Sequence, residues 1–144
     1  MKLHPEGEWA MGPNPEGGIN TPLHCAVFIG NIEIIKLLLE YDIDIDAVDI
    51  DGDSALLLAV HEKNAEIVET LLQKGANVNF QDEDLRTALF YATPKMAKLI
   101  FDHATNLDLE LRDENDRNTV FEHTLDIKKF EILKMITFHQ IMKA

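Results

Sequence analysis

Few side chains in this chain have the type and spacing needed for chemistry. Cys25 is the single cysteine, and its apolar surroundings are typical of a packed helix rather than of an activated nucleophile. The six histidines are too scattered for the spacing of zinc ligands. No glycine-rich phosphate loop and no G-x-S-x-G nucleophile turn occurs. The sequence therefore predicts a protein that is not an enzyme, with no catalytic residue, no metal ligand and no cofactor.

Several aspartates between residues 46 and 53 resemble a calcium loop at first sight. When Gly52 is aligned with the glycine of an EF-hand loop, the first ligand position falls on Ala47. The twelfth position, which needs a glutamate, falls on Leu58. The pattern therefore predicts a solvated acidic loop and no calcium site.

The elements that position these side chains follow from an internal repeat. Residues 21–26, Thr-Pro-Leu-His-Cys-Ala, are matched by residues 54–59, 87–92 and 119–124, at intervals of 33, 33 and 32 residues. A period near 33 with this start resembles the ankyrin repeat, which consists of a β-turn and two helices. The resemblance implies an all-α ankyrin-repeat solenoid of four helix-turn-helix repeats with short β-hairpin fingers. It also implies that His24 hydrogen-bonds to the backbone between repeats.

The repeat predicts how the chain is divided. Residues 1–18 are rich in proline and glycine and are expected to form a leader, which precedes an ankyrin-repeat domain over residues 19–144. The repeats are expected at about residues 19–48, 49–81, 82–113 and 114–144. The fingers are expected at about residues 42–53, 75–86 and 105–118, with no large sheet.

The third repeat departs from the pattern. Four steps separate Ala92 from Met96, whereas eight separate the equivalent Ala59 and Ile67. About one helical turn is therefore missing. We predict that the first helix of this repeat is shortened to about residues 87–93 and that Pro94 lies at the break between the two helices.

The charge of the chain narrows the class of partner. With 26 acidic and 13 basic residues, the net charge is −13. Such a surface repels nucleic acid and anionic lipid, and it attracts a basic protein surface. No apolar run is long enough to span a membrane. We predict a protein partner with a basic surface, no nucleic acid and no membrane, and a reducing location in the cytoplasm or also the nucleus, given the single cysteine.

The resemblance also implies where a partner binds. Ankyrin repeats usually bind through the finger tips and the exposed side of the first helices. An apolar spot at Phe28 and Ile29 lies among acidic fingers, as in many interface hot spots; the alternative is that Trp9 of the leader covers this spot. The predicted contact residues are Phe28, Ile29, Ile50, Asp51, Asp53, His61, Glu62, Glu83, Asp84, Arg86, Asn115 and Asp116.

The function implied is a non-enzymatic protein-interaction module that acts as an inhibitor or scaffold. The chain is similar to inhibitor-of-NF-κB proteins, acidic ankyrin arrays that mask basic nuclear-import segments. Ankyrin inhibitors of cyclin-dependent kinases are also similar, although their shortened helix lies in the second repeat rather than the third. A further alternative is the substrate-recruiting part of a larger enzyme or ligase.

The last helix carries more apolar residues than one face can bury. We expect Ile132, Met135, Ile136 and Met142 to face the stack, which leaves Phe138 and Ile141 uncovered. Exposed apolar patches usually mark contacts. The sequence therefore predicts that this end meets a further segment, a partner or a second copy of the chain as a homodimer.

Overall fold

In the part of the chain that the structure describes, four pairs of helices follow one another. The computed structural model describes residues 2–3, 9–10, 21–115, 117–126 and 129–143, with the side chains of residues 2–3, 9–10 and 125–128 excepted. The helices are α1 (Pro22–Ile29), α2 (Ile32–Leu38), α3 (Ala55–His61), α4 (Ala65–Gln73), α5 (Ala88–Tyr91), α6 (Pro94–His103), α7 (Val120–Asp126) and α8 (Phe130–Lys143). Two short strands, β1 (Lys2–Leu3) and β2 (Trp9–Ala10), pair antiparallel within the predicted leader.

The helix pairs stack side by side in two layers. In one layer α1 contacts α3, α3 contacts α5, and α5 contacts α7. In the other, α2 contacts α4, α4 contacts α6, and α6 contacts α8. The predicted all-α stack of four helix-turn-helix repeats is thereby confirmed. None of the helices in the described part of the chain is long and apolar enough to cross a membrane.

Capping side chains begin the helices where the repeat predicts. Thr21 and Ser54 lie before the first helices of repeats 1 and 2, and each accepts a hydrogen bond from the backbone N–H three residues on. Asn31 and Asn64 do the same for the second helices. Gly30 ends α1 in the left-handed conformation, with φ of 79°. The helices of repeats 1 and 2 therefore begin at local capping interactions.

One apolar strip runs through the whole stack between the two layers. The first helices contribute Leu56, Leu57 and Phe90, among others, and the second helices contribute Ile67 and Ile132. Because each repeat buries its apolar side only against its neighbours, the strip has no single centre. Stability is therefore shared along the array, and a local change acts mainly on the adjacent repeats.

The fingers are tight turns rather than long hairpins. In the first finger Val48 pairs with Ser54, and the N–H of Asp49 donates to the carbonyl of Asp53 at 2.9 Å. The third finger pairs Arg112 with Thr119 in the same way. The second has the equivalent bond from residue 82 to residue 86 at 3.0 Å. Each finger thus presents its tip residues at the end of a short pinched loop.

The third repeat has a shorter first helix than we predicted. Helix α5 covers four residues, Ala88–Tyr91, instead of about residues 87–93. Pro94 does not lie in a break; it is the first residue of α6, and the Thr93 hydroxyl accepts from the N–H of Met96 at 3.3 Å. A residue before proline avoids the helical conformation, and Thr93 is extended accordingly. Ala92 is extended as well, so α5 ends at Tyr91.

Candidate functional site

Most of the predicted contact residues lie exposed on the fingers and at the ends of the first helices. Phe28 is 67% exposed at the end of α1, so its side chain points away from the core as predicted. Asp116 lies outside the described residues. The remaining exposed members are Ile29, Ile50, Asp51, His61, Glu62, Glu83, Asp84 and Asn115. We call these residues, together with the half-buried Asp53, the finger face.

Two contact residues belong to a polar cluster that joins repeats 2 and 3. His61 Nε2 lies 3.8 Å from Asp53 Oδ2. The His61 ring packs against Tyr91, with ring centroids 4.6 Å apart. The Tyr91 hydroxyl donates to Asp82 Oδ2 at 2.5 Å. Ligand-type atoms of Asp53, His61 and Asp82 all lie within 4.8 Å of one another.

Electrostatics at this cluster oppose the charged form of Asp53. The pKa of the Asp53 carboxyl is raised to about 6. Burial raises it most, His61 lowers it, and the carboxylates of Asp49, Asp82 and Asp51 raise it. Burial, together with the hydrogen bond to Asp82, also raises the pKa of Tyr91, so its hydroxyl remains a donor at neutral pH. The cluster is therefore rich in negative charge, and the guanidinium of Arg86 lies beside its Tyr91 hydroxyl.

One aspartate at the base of each finger's turn holds the turn together. Asp49 Oδ1 accepts hydrogen bonds from the backbone N–H groups two and four residues on, at 2.9 and 3.0 Å. Asp82 Oδ1 does the same, at 2.9 Å for both bonds. Asp113 Oδ1 accepts from the N–H of Asn118 at 3.0 Å. The acidic loop was predicted to be solvated, but Asp49 also has this structural role.

Arg86 is a predicted contact residue whose guanidinium is engaged inside the protein. Its Nε and Nη2 donate to Asp113 Oδ2 at 3.2 and 3.0 Å. The Asp113 side chain is completely buried, whereas that of Arg86 is 21% exposed. The pair links the second finger to the third. Arg86 therefore positions the fingers, whatever contact its exposed edge makes.

His24 and Cys25 have structural positions. His24 is buried; its Nε2 donates to the carbonyl oxygen of Asp53 at 2.9 Å, and its Nδ1 lies 2.6 Å from the Thr21 hydroxyl. The implied hydrogen bond between repeats is thus confirmed. Cys25 is also buried, and burial raises the pKa of its thiol, which disfavours the reactive thiolate.

The C-terminal helix leaves apolar side chains uncovered. Ile132 and Ile136 are buried against the stack, whereas Phe138 is 66% exposed and Ile141 is exposed to a similar extent. Met142 was predicted to face the stack, but it is exposed as well. Helix α8 has 14 residues against 10 in α6, and Phe138, Ile141 and Met142 in its last turns remain exposed.

We predict that this apolar end drives self-association of the protein. Light scattering should show an apparent mass that rises with concentration, and changing both Phe138 and Ile141 to serine should return it to that of a monomer. The matched control changes Leu37 and Ile34, exposed on α2, to serine. A native protein that remains monomeric at every concentration contradicts the prediction.

Comparisons with known proteins agree with this geometry. A family model described as ankyrin repeats, in three copies, matches residues 23–113, which is more than half of the chain. The chain belongs to the ankyrin-repeat family. The ankyrin-repeat fold is a protein-interaction module, and the fourth helix pair, α7 and α8, continues the same stack beyond the matched span.

Individual relatives of this ankyrin-repeat chain are longer proteins. The mouse B-cell lymphoma 3 protein homolog is 47% identical over 74 residues, which covers 51% of this chain and 16% of the relative. The E3 ubiquitin-protein ligase XBAT33 of Arabidopsis thaliana is 42% identical over 77 residues, covering 53% of this chain and 15% of the relative. The chain thus spans less than a fifth of these relatives.

A solved structure extends the comparison to most of the chain. It is the ankyrin repeat domain of Bcl-3, described as a unique member of the IkappaB protein family. The TM-score is 0.71 and the sequences are 32% identical; the match covers 82% of this chain and 51% of that one. The stack described above is therefore similar to the ankyrin array of Bcl-3.

Asp82 and Tyr91 were absent from the predicted contact residues although they complete the polar cluster. A signal for Asp82 was present, because it lies one repeat period of 33 residues after Asp49. Tyr91 had no comparable signal. It is the last residue of α5, and its ring lies beside His61 of the preceding repeat.

Proposed function

We propose that this protein is a non-enzymatic module that captures a basic segment of a protein partner on the finger face, and that it acts as an inhibitor or scaffold in the manner of inhibitor-of-NF-κB proteins. The observation that carries the proposal is the arrangement of exposed acidic tips, Asp51, Glu83 and Asp84, on adjacent fingers of an array that also exposes Phe28. The likeness to the Bcl-3 domain supports it.

The acidic tips and an apolar anchor are expected to act on different quantities, the association rate and the affinity of the complex. Exposed carboxylates and a net charge of −13 raise the rate at which a basic segment arrives, and salt screens this attraction beyond about 8–10 Å. The tips are solvated, so they contribute little to the strength of the final complex. Affinity then depends on apolar anchors that are desolvated in the complex, and Phe28, exposed at the end of α1, is the candidate tested below.

The test uses a lysine- and arginine-rich peptide of the nuclear-import type as the probe. Its association rate, measured by stopped-flow fluorescence, should fall as salt rises. Asp51→Asn, Glu83→Gln and Asp84→Asn combined should slow association about tenfold or more at low salt. The turn-forming Asp49 is left unchanged because its side chain holds the loop.

A matched control removes the same charge elsewhere. Glu33, Glu40 and Asp42 are exposed in and after α2, away from the finger tips. Neutralising these three residues to Gln, Gln and Asn should change the association rate much less. Equal slowing by the two triple variants would show that only net charge matters and that the finger face has no special role. A peptide that fails to bind at low salt would also overturn the proposal.

Phe28 gives a separate prediction about affinity. Changing Phe28 to Asp should weaken binding of the basic peptide by about 2 kcal/mol, because a desolvated aromatic anchor is lost. It should alter the free energy of unfolding by less than about 0.5 kcal/mol, because the side chain is exposed. Equilibrium anisotropy and urea denaturation measure the two quantities. If the variant unfolds instead, Phe28 is covered in the native protein and the assignment fails.

A second candidate function is supported by the ligase relatives. Regions similar to this chain occur in XBAT33 and in the probable E3 ubiquitin-protein ligase XBOS33 of rice, at 42% and 39% identity. The same finger face would then bring a substrate to an enzyme. Ubiquitin transfer to the captured protein in cells, lost with Phe28→Asp, would favour this function, whereas a captured protein that is masked and not modified favours the first.

A further inference from the structure

Asp53, His61 and Asp82 form a compact set of metal-type ligands across two repeats. Asp53 ends the first finger, His61 ends α3, and Asp82 begins the second finger. One imidazole nitrogen and two carboxylate oxygens lie within 4.8 Å of one another. We propose that these three side chains bind one zinc ion, with the remaining coordination position facing solvent.

Other contacts orient the side chains of His61 and Asp82 and fix the backbone of Asp53. The His61 ring is packed against Tyr91, whose hydroxyl donates to Asp82. Asp53 is held by its N–H bond to Asp49 and by His24, which donates to its carbonyl oxygen. Metal ligands are commonly held in place by such outer hydrogen bonds. The three ligand atoms would need to move about 1 Å closer to one another to bind a zinc ion at the usual bond lengths of about 2.0–2.2 Å.

The charge balance favours a dication at this place. Asp53 faces the carboxylates of Asp49, Asp51 and Asp82, and among the described residues its ion-pair partner is His61. At 3.8 Å, that contact is longer than a charge-assisted hydrogen bond of about 2.7–2.9 Å. Arg86, the nearby arginine, pairs with Asp113, and its guanidinium also contacts the Tyr91 hydroxyl. The Asp53 side chain is only 18% exposed, and its imidazole partner His61 is only weakly paired with it.

The ligand types select the metal. Calcium and magnesium prefer sets of oxygen ligands alone, whereas zinc accepts imidazole and carboxylate together. His103 and Glu69 provide an internal comparison, since their pair has the same 3.8 Å separation. They belong to no three-residue cluster among the described residues. Because in the described part of the chain only His61 has a third ligand nearby, Asp82, we predict a zinc site at His61 and none at His103.

A bound ion would join repeat 2, which supplies Asp53 and His61, to the finger of repeat 3, which supplies Asp82. An ion that binds only the folded protein raises its thermal stability. The inference depends on the geometry of the three ligands and not on the proposed function, so its test needs no partner. Zinc binding and peptide binding can therefore fail separately.

The experiment titrates zinc chloride into the full chain by isothermal titration calorimetry, after treatment with a chelator. We expect one zinc per chain and a thermal midpoint that rises with zinc. His61→Ala and Asp53→Asn should each weaken binding at least tenfold, and Tyr91→Phe about tenfold, as expected for a ligand's hydrogen-bond partner. His103→Ala is the matched control and should leave the affinity unchanged. Circular dichroism checks that each variant is folded.

The titration can also overturn the proposal. No binding at micromolar to millimolar zinc would do so. Binding that His61→Ala and Asp53→Asn leave intact would place the ion elsewhere. Equal weakening by His61→Ala and His103→Ala would show weak attraction of zinc to surface histidines in general and not a three-ligand site.

Discussion

Replacing Phe90 with alanine is expected to lower the free energy of unfolding by about 3–5 kcal/mol. Phe90 is 2% exposed and is among the largest fully buried side chains described. Its ring centroid lies 5.4 Å from that of His123 on α7. Removing the ring deletes buried apolar surface and leaves a cavity between the first helices of repeats 3 and 4.

The effect is large because α5 is so short. Four residues cannot form a stable helix alone, so α5 depends on packing of its side chains against its neighbours. In a repeat array each helix pair contacts only the adjacent pairs. Loss of Phe90 should therefore separate the stability of repeat 4 from that of repeats 1 and 2, and unfolding should become broader or occur in two steps.

Urea denaturation followed by far-ultraviolet circular dichroism measures both the midpoint and the breadth. The control is Phe28→Ala, the same substitution at a side chain that is 67% exposed, which should cost less than about 1 kcal/mol. Equal costs for the two variants would mean that α5 does not anchor the end of the array. Hydrogen exchange should show faster exchange in α7 and α8 of the Phe90 variant.

The repeat period accounts for how much of the fold could be predicted. Positions one period apart have equivalent roles, so the caps Thr21 and Ser54 and the left-handed Gly30 could be assigned from the sequence. The end of α5 could not, because two local preferences compete there. The helix pattern continues through Ala92, but Pro94 and the cap Thr93 impose an extended backbone before it.

The candidate site was less predictable for a different reason. Exposure of finger residues such as Asp51 and Glu83 follows from register within one repeat, and the structure confirms it. The contact between His61 and Tyr91, and the pairing of Arg86 with Asp113, join residues from different repeats. Such contacts depend on how closely neighbouring repeats pack, which the period alone does not give.

Arg86→Ala is expected to lower the free energy of unfolding by about 3 kcal/mol. The Asp113 carboxylate is fully buried, and removal of the guanidinium takes away its main positive partner. The loss lies at the low end for a broken buried pair, because the N–H of Asn118 still donates to Asp113 Oδ1. Arg86→Lys should recover part of the loss, since the charge remains but the two hydrogen bonds cannot both be made.

The matched control is Lys98→Ala, which breaks an exposed ion pair with Asp102 at 2.6 Å. Exposed pairs contribute little, so this variant should lose less than about 0.5 kcal/mol in urea denaturation. If Arg86→Ala costs no more than Lys98→Ala, the Arg86–Asp113 pair does not stabilise the fingers. If it costs as much as we expect, peptide binding by Arg86→Ala must be measured under conditions in which the variant is fully folded. Only a loss of affinity in the fully folded variant would make Arg86 a contact residue as well as a support for the fingers.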